Sequence, residues 1–146
     1  MTGVTAMARN TAYAIEQRGD PAFPARKIAD VLSAADITHI SNEIPFYTGC
    51  EARPIKDLLV LCSKPAYMAA IKLVGADIIG LTGNHMLDYG IEPFLYTLDL
   101  YDKEGLPYYG GGGNDGEDSS PVPFYKPALA TREQVENSVV AASFTK

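Results

Sequence analysis

The residues best suited to chemistry directly follow a short apolar run in the middle of the chain. The segment 83–90, Gly-Asn-His-Met-Leu-Asp-Tyr-Gly, comes just after the run 77–81. Asn84 offers an amide oxygen, His85 an imidazole that exchanges a proton near neutral pH, and Asp88 a carboxylate. These three groups together suit acid–base catalysis or metal binding. In the alternative interpretation, the segment is an ordinary turn in which Asp88 caps the following helix.

The elements predicted around this segment would place it at one edge of a parallel sheet. The run 77–81 is predicted as a buried strand, because it is rich in Ile and Leu and is bounded by glycines. A helix is predicted over 91–103, followed by a short strand over 106–109. The apolar stripe predicted for this helix consists of Ile91, Phe94, Leu95, Leu98 and Tyr101. Strand, helix and strand in this order predict an α/β fold with mainly parallel strands.

A second polar pair, Asn42 and Glu43, follows another predicted strand in the same way. This strand is expected over 37–41, after a helix over 25–34. The apolar face predicted for that helix consists of Ile28, Val31, Leu32 and Ala35. Since the carboxyl ends of parallel strands meet at one edge of a sheet, Glu43 is expected on the same edge as Asn84. An ordinary turn is the alternative interpretation of the pair.

The remaining elements carry no further candidate site. Helical turns are predicted over 12–17 and end at Gly19, and a strand is predicted over 58–62. A further helix begins at Pro65 and ends at Gly75. Its buried face is expected to consist of Met68, Ile71 and Val74. His39, inside the predicted strand 37–41, is expected to be a half-buried histidine rather than a ligand.

Composition limits the class of protein. A chain of 146 residues and 15.7 kDa, with 47% hydrophobic and 21% charged residues, has the composition of one globular domain or part of one. The formal net charge of −6 argues against nucleic acid as a partner, because phosphate backbones require clustered Lys and Arg. No stretch approaches the roughly 20 apolar residues of a membrane span. Residues 1–10 do not resemble a signal peptide, and any such signal would lie upstream.

The two cysteines, Cys50 and Cys62, leave two alternatives open. Two thiols alone cannot form a structural zinc site, so a zinc knuckle is not expected. Cys50 falls in a predicted loop and Cys62 at a predicted strand end, which is compatible with a disulfide in an oxidising compartment. A pair of free thiols in a reducing compartment fits the sequence equally well.

Three segments resemble the CapA-type capsule synthesis family, whose members are linked to poly-γ-glutamate capsules. The segment 83–90 is similar to the family signature Asn-Asn-His-x-Leu-Asp-Tyr-Gly, with Gly83 at the first position. Asn42-Glu43 resembles the family's strand end of the form Asn-x-Glu or Asn-Glu, here without the spacer residue that is often seen. The segment 105–112 is similar to the glycine-rich turn after the signature helix. The resemblance implies a partial metallophosphatase-like domain over residues 3–130, with 131–146 as an unassigned tail.

The resemblance also implies a mechanism and a set of partners. Glu43 and Asn84 would hold a divalent metal, with Mn, Fe, Zn or Mg as the candidates. His85 would donate a proton to the leaving group, and Asp88 would orient His85. The substrate would be an anionic polymer or a phosphate-containing small molecule, handled with capsule-synthesis partner proteins. The full-length parent protein is expected in the cell envelope or outside the cytoplasm.

Some expected family features are missing from the sequence. The family's opening Gly-Asp strand is not found ahead of Thr5, the chain has no Trp, and its only histidines are His39 and His85. The glycine-rich, acidic stretch 110–121 suggests a surface loop. These departures predict a fragment that binds metal weakly and is inactive by itself. A non-catalytic envelope module that handles polymer without turnover is therefore the alternative function.

Overall fold

The computed structural model describes residues 2–53, 59–81 and 83–110. Within these residues, four strands form one sheet in which sequence order and spatial order are the same. The strands are β1 (Val4–Thr5), β2 (His39–Asn42), β3 (Ile78–Gly80) and β4 (Tyr108–Tyr109). The α-helices are α1 (Arg9–Arg18), α2 (Ala29–Ser33), α3 (Met68–Leu73) and α4 (Ile91–Glu104), and single 3₁₀ turns occupy Phe23–Ala25 and Pro65–Tyr67.

All neighbouring strands of the sheet run parallel. Ile40 of β2 is in register with Ile79 of β3, and Ile79 is in register with Tyr108 of β4. Each connection between neighbouring strands passes through helical segments, as parallel pairing requires. The predicted α/β fold with mainly parallel strands is therefore confirmed. Strand β1, which pairs Thr5 with Asn42, was not predicted, because two residues are too few to show a periodic pattern.

The core lies between the sheet and the helices packed on it. Its most deeply buried apolar side chains are Ile15, Ile44, Phe46, Tyr67, Ile79, Leu81, Phe94 and Tyr101. Met68, Ile71 and Val74 are buried as predicted, and Gly75 follows that helix at a φ of 66°. The turns predicted over 12–17 belong to α1, which ends at Gly19 in the left-handed conformation. Local sequence patterns were sufficient to predict α1 and α3, because a glycine follows each of these two helices.

The helix predicted over 25–34 is wrong in its extent and in its apolar face. The chain forms a 3₁₀ turn over Phe23–Ala25, and regular α-helix begins only at Ala29. Ile28 is 49% exposed and Val31 is 75% exposed. Regular α-helix covers only Ala29–Ser33, so Ile28 and Ala35 lie outside it, and the buried residue of α2 is Ala29. The predicted apolar stripe is consequently lost.

The apolar stripe predicted for α4 is partly wrong, although the helix itself is confirmed. Phe94 and Tyr101 are buried, but Ile91 is 45% exposed and Leu95 is 47% exposed. The buried face is rotated towards Thr97, which is fully buried. The Thr97 hydroxyl donates to the Pro93 carbonyl at 2.7 Å and accepts from the Phe46 amide at 2.8 Å. A polar residue occupies this core position because the backbone of a neighbouring loop needs an acceptor there.

The strand predicted over 58–62 is not found in its described part, residues 59–62. One isolated parallel bridge joins Phe46 to Ser63 immediately after it. Residue 58, the glycine-rich stretch from residue 111 onward and the tail 131–146 lie outside the described residues. No helix of the described part of the chain is long and apolar enough to cross a membrane.

A small, partly exposed network links α1 to the turn before α3 and should be sensitive to pH. The Tyr67 hydroxyl donates to Glu16 at 2.7 Å, and the Lys64 ammonium lies 3.0 Å from the same carboxylate. Both contacts hold the pKa of Glu16 below its usual value. A lowered carboxylate pKa contributes stability that is present above the unfolded-state pKa and is lost as pH falls through the folded-state value.

We therefore expect Glu16→Gln to lower the free energy of unfolding by less than about 1 kcal/mol near neutral pH, since the carboxylate is partly exposed. The difference from wild type should disappear at an acidic pH that protonates Glu16 in the folded protein, below its lowered pKa. Urea denaturation at both pH values measures the effect. Asp36→Asn, which removes an exposed carboxylate elsewhere, is the control. An equal loss of stability at both pH values would show that charge plays no part.

Candidate functional site

The two polar strand ends meet at one edge of the sheet. Ser41 of β2 is in register with Gly80 of β3, and the strands are parallel, so the chain leaves both at the same edge. A Cβ atom on Gly83 would lie 2.5 Å from the Glu43 carbonyl oxygen and 2.7 Å from its Oε2 atom. The loop after β3 therefore contacts both the backbone and the carboxylate of Glu43. The prediction that Glu43 and Asn84 leave the sheet at the same edge is confirmed.

The two residues that follow Ser41, Asn42 and Glu43, have different hydrogen-bond partners and different roles. Asn42 is buried, and its side-chain amide donates to the Ile44 carbonyl at 2.8 Å. Asn42 thus stabilises the turn of its own loop. The Glu43 amide donates to the Thr5 carbonyl at 3.0 Å, which ties this loop to β1. The half-buried Glu43 carboxylate is the polar group that this strand end directs towards the segment 83–90.

Successive tight turns shape the segment 83–90. The amides of Met86, Asp88 and Gly90 donate to carbonyls three residues earlier, at 3.4, 3.2 and 2.8 Å. This spacing brings side chains three residues apart to the same side of the chain. Met86 is buried and anchors the segment in the core, whereas Asn84 is exposed. The result is a rigid turn that pairs His85 with Asp88.

The Asp88 carboxylate holds the His85 imidazole. Oδ2 of Asp88 lies 2.7 Å from Nδ1 of His85, and it also accepts the Leu61 amide at 2.6 Å. The two side chains are only 13% and 16% exposed. With Nδ1 occupied, Nε2 is the ring nitrogen that remains for a ligand or a substrate. The residue at the N-cap of α4 is Gly90, and no side chain forms a capping hydrogen bond there. The alternative that Asp88 caps this helix is therefore wrong.

The donor types at this edge fit a divalent metal, but their number is small. A carboxylate from Glu43, an amide oxygen from Asn84 and an imidazole from His85 are ligand types that Mn, Fe and Zn accept. Within the ranges that the structure describes, no three His, Cys, Asp or Glu side chains are grouped closely enough to hold a metal. The carboxyl end of β1 continues into Ala6 and Met7, which have no ligating oxygen. The described residues therefore supply a partial donor set.

His39 lies apart from this edge, as predicted. It is half-buried on β2, and its Nε2 atom is 2.8 Å from the Tyr109 hydroxyl of β4. Its contact is made across β3, where Gly80 leaves room for both rings. This histidine therefore serves the packing of the sheet.

Cys50 and Cys62 form a disulfide with their Cα atoms 5.8 Å apart, which settles the alternative that the sequence left open. Leu61, the residue before Cys62, donates its amide to Asp88. The disulfide therefore ties the loop around Cys50 to the backbone that holds the Asp88 carboxylate. Sequence spacing could not reveal this link, because Leu61 and Asp88 are 27 positions apart in the chain and share no local pattern.

A cleft next to this pair was not predicted. It has a volume of about 340 Å³, and its walls include Arg9, Arg53, Leu61, Tyr89 and the disulfide. The Tyr89 ring packs against Tyr47 with ring centroids 5.5 Å apart. The four predicted site residues do not line it. The cleft brings together residues from distant parts of the chain, so only the fold could reveal it.

The fold and the site define an α/β protein with a polar site at the carboxyl edge of a parallel sheet. The model of the family described as bacterial capsule synthesis protein PGA_cap matches residues 1–140, and the chain belongs to this family. The family is metallophosphatase-like, and the predicted resemblance to capsule synthesis proteins is confirmed. A comparison with curated proteins finds no match.

We expect Gly83→Ala to destabilise the fold by about 1–3 kcal/mol, because the added methyl group would displace the Glu43 backbone. Chemical denaturation measures the change. Gly3→Ala is the matched control, since a Cβ atom there meets nothing within 4 Å. If the two variants are equally stable, the loops do not pack as described.

Protein isolated from an oxidising compartment should show no maleimide labelling of Cys50 or Cys62 until it is reduced. Cys50→Ser should then leave one thiol that labels without reductant, measured by intact mass. Loss of the bridge should also lower stability by roughly 3 kcal/mol, through the entropy of the unfolded chain. Ready labelling of both thiols in unreduced wild-type material would exclude the bridge.

Proposed function

We propose that this capsule synthesis protein carries out metal-dependent hydrolysis or transfer on an anionic polymer or a phosphate ester. The observation that supports this most strongly is the His85–Asp88 pair, with 2.7 Å between Nδ1 and Oδ2. A carboxylate that fixes one ring nitrogen of a histidine is the usual arrangement of a group that transfers protons. Its position at the carboxyl edge of a parallel sheet is where α/β proteins bind ligands.

In this proposal, the chain's own residues handle the proton. His85 uses Nε2 to donate a proton to the leaving group, because Nδ1 is held by Asp88. Asp88 orients the ring and stabilises the imidazolium form, while the Leu61 amide keeps the carboxylate in place. Partial burial of both side chains limits competition from water.

Glu43 and Asn84 are the proposed ligands of a divalent cation, with Mn, Fe, Zn or Mg as candidates. A carboxylate and an amide oxygen suit such an ion, and the contact between Gly83 and Glu43 keeps the two strand ends together. When bound, the cation would polarise a phosphoryl or carbonyl oxygen of the substrate. Further ligands would have to come from parts of the protein outside the described residues.

A non-catalytic module that handles polymer in the cell envelope is the second candidate function. The partial donor set of the described residues supports it, because the apolar residues after β1 add no ligand to this edge. The disulfide supports an oxidising location for either function. In both cases the partners would be an anionic polymer and other capsule-synthesis proteins. The two candidates differ in one measurable property, which is turnover.

We expect His85→Ala to abolish hydrolysis of bis-para-nitrophenyl phosphate with added Mn²⁺ in the full-length protein, while the circular dichroism spectrum is retained. Asn84→Ala should weaken the apparent affinity for Mn²⁺, because it removes one ligand of several. Asp88→Asn should be milder than His85→Ala, with a loss of about 10–100-fold, typical of a residue that orients another. Initial rates across a range of Mn²⁺ concentrations separate these effects.

His39→Gln is the matched control, since it changes the chain's other histidine away from this edge of the sheet. It should keep wild-type activity. If His85→Ala is fully active, or loses activity only because it unfolds, His85 is structural and the catalytic assignment fails. If wild type itself shows no turnover with any of the four metals, the non-catalytic function is favoured.

A further inference from the structure

The cleft beside the His85–Asp88 pair has the features of a binding site in its own right. It has a volume of about 340 Å³ and is walled on one side by the Cys50–Cys62 disulfide. Arg9 contributes from the start of α1, and Arg53 from the loop that carries Cys50. The two arginines are far apart in sequence, so the fold brings them to the same cleft.

The charge of the cleft is opposite to that of the whole chain. Its lining includes two arginines and one acidic residue, Glu51, whereas the chain has a formal net charge of −6. Arg53 forms an ion pair with Glu51, but their side chains are 79% and 62% exposed. An exposed ion pair of this kind contributes little, and a ligand anion can replace it. A guanidinium has five donors and suits the planar oxygens of a carboxylate or phosphate.

The backbone of Arg9 supports a constrained role for this residue. Its φ is 49°, in a region that residues with a side chain rarely adopt. Conformations of this kind cost free energy and tend to occur at binding sites and active sites. Arg9 is half-buried, so its side chain is confined more than that of an ordinary surface arginine.

The cleft and the His85–Asp88 pair share a wall. Leu61 lines the cleft and donates its amide to Asp88, and Tyr89 lines the cleft directly after Asp88 in the chain. The Tyr89 ring is 43% exposed and packs against Tyr47. A polymer bound in the cleft could therefore continue past an aromatic surface to the His85 imidazole.

We propose that this cleft is a subsite for an anionic oxygen group of the substrate, bound by the Arg9 and Arg53 guanidinium groups. The group is a carboxylate if the substrate is a polymer of acidic residues, and a phosphate if it is a phosphate ester. The chemical nature of the substrate in this proposal rests on the proposed function. The cleft adds to that function a site that selects the substrate by charge and holds it next to His85.

The binding test uses the oxidised, full chain without added metal and a fluorescent, synthetic oligoglutamate. Fluorescence anisotropy should show saturable binding that weakens as salt is raised. Arg53→Gln and Arg9→Gln should each raise Kd by about fivefold or more, because each removes a charge-assisted contact. Glu51→Gln should lower Kd by about twofold, because it removes a like charge and releases Arg53.

Arg18→Gln is the matched control for charge, since Arg18 is exposed at the opposite end of α1, roughly 13 Å from Arg9 along the helix axis. It should leave Kd unchanged. An oligoglutamine of equal length should not bind. If Arg18→Gln weakens binding as much as Arg53→Gln, or if wild type shows no saturable binding, the subsite does not exist. Arg53→Glu provides a second variant at an exposed position if Arg9→Gln fails to fold.

Competition with inorganic phosphate separates the two sources of the anion. Displacement of oligoglutamate at low phosphate concentration supports a phosphate ester, and resistance to phosphate supports a carboxylate polymer. Binding that depends on the arginines without any turnover would support the subsite while the catalytic proposal fails. If the wild-type protein turns over substrate and neither Arg53→Gln nor Arg9→Gln changes KM, the subsite proposal is wrong while the catalytic proposal stands.

Discussion

One carboxylate, that of Asp88, connects the separate parts of the candidate site. It accepts a hydrogen bond from the Leu61 amide and another from the His85 ring. Through Leu61 it is linked to the disulfide segment, and through Tyr89 to the cleft. A partly buried carboxylate needs donors of this kind, because burial without them would cost free energy. The imidazole, the cleft and the disulfide therefore depend on each other's position through this single group.

The contact between Gly83 and Glu43 is the second constraint, and it joins the loops that follow β2 and β3. Gly83 stands where the signature that the chain resembles has Asn, and Glu43 follows Asn42 without a spacer. In this structure the Glu43 backbone fills the space in which a Cβ atom of residue 83 would lie. The absence of a side chain at position 83 thus allows the loop after β2 to remain against the loop after β3.

Several elements could be predicted from sequence because their signals are local. The apolar run before the signature, the glycines that end α1 and α4, and the proline before α3 each specify an element through neighbouring residues. The pairing of β2 with β3 followed, because short strands joined by helical connections form parallel sheets. The capsule synthesis family could likewise be recognised from the signature segment and the Asn42-Glu43 pair.

The sequence by itself determined the parallel pairing of β2 with β3, the helix α4 and the edge at which Glu43, Asn84, His85 and Asp88 leave the sheet. Only the tertiary structure decided which partners these groups have. Thr97 lies in the core because its hydroxyl accepts a hydrogen bond from the backbone of a distant loop. Asp88 accepts a hydrogen bond from the amide of a residue 27 positions away in the chain. The disulfide and the arginine cleft arose in the same way. All of these contacts join residues with no shared periodicity, so they become visible only when the chain is folded. For Thr97 and Asp88 the physical cause is the need to satisfy buried polar groups of the backbone.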